Sequence, residues 1–88
     1  MRIRVSRTGG FAGIERQAEV DTSGRPDAGE WHALAERAVA AGRGAPPTGV
    51  PDGFSYEITV DGKTVYAADP RLSDEQRKLI SRVLKEGA

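Results

Sequence analysis

Phe54-Ser55-Tyr56-Glu57-Ile58-Thr59-Val60, followed at once by Asp61-Gly62, decides the architecture. Phe54, Tyr56, Ile58 and Val60 recur with period two, the spacing that lines up side chains on one face of a pleated strand. Asp-Gly is the two-residue signature of a tight hairpin turn, whose central positions need positive φ. Lys63 to Ala68 is therefore the return strand, and Pro70, lacking an amide hydrogen for a ladder, ends it. Upstream, Gly44 to Gly53 (GAPPTGVPDG) holds three prolines and three glycines, so it is a loop. Downstream, Ser73 and Gln76 have capping-box spacing, and Leu79, Ile80, Val83 and Leu84 form the apolar face of a helix stopped by Gly87.

The N-terminal half repeats that order with different residues. Met1, Ile3 and Val5 alternate with Arg2, Arg4 and Ser6, as in a half-buried strand. Thr8-Gly9-Gly10-Phe11-Ala12-Gly13 interrupts the alternation, and adjacent glycines favour a turn. Ile14, Ala18 and Val20 then resume it against Glu15, Gln17, Glu19 and Asp21, giving a hairpin over 1–21 with a glycine-rich tip. Arg16 breaks the apolar face, which places that end of the strand at the sheet margin. After a connector, Asp27 and Glu30 have the spacing of another capping box. Trp31, Leu34, Ala35, Ala38 and Val39 make one helical stripe that ends at Gly42. The order ββαββα has an economical α+β solution: a four-stranded antiparallel sheet with two helices packed on one face, in a single domain over 1–88. The other face, with Arg2, Arg4, Glu57 and Thr59, is left to water or to a partner.

Composition excludes several function classes. A chain of 88 residues, 38% hydrophobic and 30% charged, suits one small globule. There is no Cys, hence neither a disulfide nor a thiolate metal site. The 13 basic and 13 acidic side chains cancel, unlike a domain built to hold phosphate backbones. Arg2, Arg4, Arg7 and Arg16 do share a hairpin, but Glu15 and Glu19 lie among them and the stacking aromatics of single-strand binders are missing. No apolar run approaches the ~20 residues that cross a bilayer, and the start lacks the apolar stretch of a secretory signal, so a cytoplasmic location is expected. His32 is the only histidine, no serine has a predicted His base within reach, and the carboxylates Asp27, Glu30, Asp74 and Glu75 sit at helix starts, where they complement the macrodipole. Neither an enzyme nor a cofactor is expected.

Phe11 is harder to place. An aromatic between Gly-Gly and Ala-Gly either folds back over the end of the sheet or is presented to a partner as an anchor of the hot-spot kind. The residues leave both readings open.

IRVSRTGGFAGIERQAEVD at the start, DGFSYEITVDG in the second half and the closing amphipathic helix resemble the emfourin family. These are small bacterial protein inhibitors of thermolysin-like metallopeptidases, named for inhibiting protealysin. The likeness covers nearly the whole chain in order and spacing. It is most specific at the tip, where Thr8 stands for the family's serine; the loop from Gly42 to Asp52 is least family-like. The resemblance implies a monomeric inhibitor whose partner supplies the zinc. It implies that Thr8, Gly9, Gly10, Phe11, Ala12 and Gly13 block the peptidase cleft, with Phe11 in the hydrophobic specificity pocket. Arg7 and Arg16, at the base of the hairpin, would pair with acidic groups at the cleft rim. The alternative is a non-enzymatic interaction or regulatory module that binds through the outer sheet face.

Overall fold

A computed structural model describes residues 1–9, 15–44, 54–68 and 71–87. Its elements are β1 (Arg2–Gly9), β2 (Arg16–Asp21), α1 (Ala28–Ala41), β3 (Phe54–Val60), β4 (Lys63–Ala68) and α2 (Asp74–Glu86). The ββαββα order is the expected one. All four strands form one antiparallel sheet in the order β2-β1-β3-β4, so the two hairpins join through their first strands. Ile3 lies opposite Val20 and Val60, and Val5 opposite Ala18 and Ile58. The apolar residues of every strand therefore share one face.

Both helices cover that face. Trp31, Ala35 and Ala38 of α1 and Leu79, Ile80 and Val83 of α2 join Ile3, Val5, Val20, Ile58 and Val65 in one core. Leu34, Val39 and Leu84, also in the predicted stripes, pack against its margin. The Asp61-Gly62 turn has φ of 47° and 85°, both positive as its hairpin geometry requires.

Two local expectations are revised. Asp27 stands at the N-cap of α1, but its side chain makes no capping bond. Its carboxylate instead accepts from the Trp31 indole and from the guanidinium groups of Arg25 and Arg82. Charged donors hold a carboxylate more strongly than a neutral amide does, so the cluster takes precedence over the cap. The Ser73–Gln76 box, with no such competitor, forms in both directions, and the buried Gln76 also donates to the Ala38 carbonyl of α1. The helices do stop at Gly42 and Gly87, but both glycines have extended, negative φ. What excludes a side chain is space: a Cβ on Gly42 would lie 2.4 Å from Val65 Cγ2, and one on Gly87 would lie 2.9 Å from the Glu19 carbonyl oxygen. Finally, Thr8 and Gly9 are strand residues, not turn residues. β1 outlasts its pairing with β2 because β3 continues to pair with it, Thr8 opposite Ser55 and Gly9 opposite Phe54.

The outer face carries Arg2, Arg4, Glu57 and Thr59, as the alternation requires. The edge of β4 is partly covered: Arg43, just past α1, exchanges both backbone hydrogen bonds with Tyr66. That contact satisfies an edge strand that would otherwise be open to another chain.

Candidate functional site

The predicted site lies at the end of the sheet where β1 gives way to β2. The last β1–β2 pair is Arg7 opposite Arg16, and the chain between them is the glycine-rich segment. Gly10, Phe11, Ala12 and Gly13 lie outside the described residues. Arg7, Thr8, Gly9 and Arg16 are described, and they define the base from which that segment springs. Gly9 has φ of 123°, a backbone conformation a side chain would strain, so glycine is required where the chain leaves β1. Thr8 is exposed on the outer sheet face, on the opposite side from Arg7.

The two arginines have the same chemistry and different circumstances. Directly opposed like charges destabilise a strand pair, and here each guanidinium turns away to its own partner. Arg16 donates to the Leu84 carbonyl in the last turn of α2, 2.8 Å away, where the helix end is partially negative. The break in the apolar pattern of β2 is thus a tie between the sheet and α2. Arg7 lies on the helix-covered face, in register with Tyr56, and its guanidinium stacks over the Phe54 ring at 4.4 Å from the centroid. Its Nε is buried and has no hydrogen-bond partner, and Arg7 forms no ion pair among the described residues.

Arg25 and Arg82 illustrate the contrary arrangement at the start of α1 and the end of α2. Arg25 bonds Asp27 at 3.1 Å and Glu86 at 2.8 Å, and Arg82 bonds Asp27 at 3.1 Å. Both guanidiniums lie over the Trp31 ring, at 5.4 and 4.2 Å. The Arg25 hydrogen bond, seconded by the indole, holds the Asp27 carboxyl below the usual carboxylate range, and the two carboxylates raise Arg25. His32 is accounted for nearby: its Nε2 is 3.0 Å from the hydroxyl of buried Thr22, which in turn donates to the Met1 carbonyl.

The open sheet face holds a shallow polar depression of about 390 Å³, bordered by Arg4, Ser6, Gln17, Glu57 and Tyr66 among others. Side chains bridge across its rim, Arg4 to Gln17 and Gln17 to Glu15. Among the described residues, no group of three or more His, Cys, Asp or Glu side chains could hold a metal ion. No described helix is long and apolar enough to cross a membrane.

The described residues thus form an open-faced α+β sheet in which a glycine-rich stretch of sequence separates β1 from β2. The chain belongs to the emfourin family, whose model matches residues 5–84. That span takes in β1 from Val5, β2, α1, the second hairpin and α2 as far as Leu84. Membership implies a metallopeptidase inhibitor, a protein that acts by binding. No curated protein and no solved structure matches the chain.

Proposed function

We propose that this protein inhibits a thermolysin-like zinc metallopeptidase of the protealysin kind by lodging the segment between β1 and β2 in the active-site cleft. Family membership carries this reading, and the geometry at the base of the hairpin supports it. Arg7 and Arg16 pair across the sheet, so the two stems of the segment are held at one end of a four-stranded scaffold. Stems fixed in this way reduce the conformational freedom that binding has to remove. Phe11 is the anchor that fills the hydrophobic pocket, and Thr8, Gly9, Gly10, Ala12 and Gly13 let the chain approach closely. The sequence Thr8–Gly13 contains no His, Cys or carboxylate, so the blockade is steric and the zinc remains the enzyme's own. The inhibitor acts as a single-domain monomer, and the cytoplasm of the producing cell is its proposed compartment.

Inhibition assays with wild type and Phe11→Ala test this reading. Loss of a hot-spot anchor is expected to cost about 2 kcal/mol or more, about 30-fold in the inhibition constant, with the circular dichroism spectrum unchanged. Equal inhibition by the two proteins would overturn the role of the tip.

A further inference from the structure

Among the described arginines of the first hairpin and of the Trp31 cluster, Arg7 is left in an unfinished state. Arg2, Arg25 and Arg82 each have a carboxylate partner, Arg4 bonds Gln17 and Arg16 bonds a helix-end carbonyl. Arg7 alone among these combines a buried Nε without an acceptor, a guanidinium fixed on an aromatic face, and no counter-ion among the described residues. A desolvated donor without an acceptor costs stability in the free protein. Stacking on the Phe54 ring offsets part of that cost, and no carboxylate among the described residues offsets the rest. A carboxylate that forks onto its terminal N–H groups would give the guanidinium the counter-ion it lacks among the described residues.

We infer that Arg7, held against Phe54, is a preformed carboxylate-binding site at the base of the tip, and that it anchors the bound complex. This rests on the inhibitor reading and separates two residues that sequence alone treats as equivalent. Arg16 is engaged within the fold and Arg7 is the contact. It also changes the kind of contact. An exposed rim charge chiefly raises the association rate, whereas a shielded, prepositioned guanidinium paired with a carboxylate slows dissociation. Arginine is suited to the place because its flat guanidinium stacks on the ring and still offers a two-pronged edge, which lysine lacks.

The test uses the full chain against protealysin and thermolysin, reading inhibition, association and dissociation rates, and thermal midpoint for wild type, Arg7→Met and Arg7→Lys. The expected result is a tenfold or larger weakening of inhibition in both variants, carried by faster dissociation, with the thermal midpoint of Arg7→Met no lower than that of wild type. Unchanged inhibition, a loss confined to the association rate, or a midpoint that falls along with inhibition would each overturn the inference. Should wild type inhibit neither enzyme, the inhibitor reading itself fails and this site falls with it. If wild type inhibits and only the Arg7 variants behave as wild type, the inhibitor reading stands and this inference alone is lost.

Discussion

Two arginine clusters lie in the same small protein, and they are built to opposite plans. Around Trp31, Arg25 and Arg82 alternate with Asp27 and Glu86 in a closed ring of ion pairs, all four side chains about one-third exposed. At the base of the hairpin, Arg7 and Arg16 lie opposite each other in the strand register, and neither has a carboxylate partner among the described residues. The first cluster is complete in itself and ties the start of α1 to the end of α2. The second is left with an unmet donor at the end of the sheet where the segment proposed to bind the peptidase emerges. Charge compensation thus separates residues that hold the fold from residues held ready for something else.

The contrast has measurable consequences. The largest concerns Trp31, which is fully buried and central to the closed ring. Trp31→Ala is expected to lower stability by about 3–5 kcal/mol in chemical denaturation, a large share of what a domain of this size has. A loss below about 1 kcal/mol would mean that the ring of charges, and not the indole, organises that end.

A smaller effect follows acidification. The Asp27 carboxyl is held low by Arg25, so its contribution is present above the ordinary carboxylate pKa and is lost as the pH falls through the lower, folded value. Asp21 behaves in the same sense, because the Ser23 amide donates to it. Stability should therefore fall as the pH drops below about 4, and Asp27→Asn should flatten that decline without abolishing it. An acid limb identical in wild type and Asp27→Asn would remove Asp27 from the account.

The smallest effect belongs to Arg16. Arg16→Met removes one exposed tie to the end of α2 and is expected to cost about 0.3–1 kcal/mol, while changing inhibition by less than threefold. Arg7→Met should do the reverse. If Arg16→Met weakens inhibition as much as Arg7→Met does, the two arginines serve the partner alike and the division between them collapses.

Much of the fold is legible along the chain because it depends on period and on local chemistry. Phe54, Tyr56, Ile58 and Val60 point the same way whatever lies next to them, Asp61-Gly62 can only turn, and Ser73 caps its helix through a residue three positions on. Asp27 has the same local pattern as Ser73, yet its carboxylate is drawn away by Arg82, 55 residues distant in sequence. The full extent of β1 is not legible for a similar reason, since the pairing of Gly9 with Phe54 arises only where the two hairpins meet. The candidate site divides along the same line. The glycine-rich tip is plain in the sequence, whereas the different fates of Arg7 and Arg16 arise from what packs beside them.

Read alone, the sequence determined the order of the elements and the face each one buries, because both follow from residue spacing over short distances, while its likeness to known members carried the family. Only the tertiary structure decided the strand order, the steric demand for glycine at 42 and 87, and which arginine is satisfied. Those depend on groups far apart in the chain coming within a few ångströms, where desolvation and hydrogen-bond partners set the outcome.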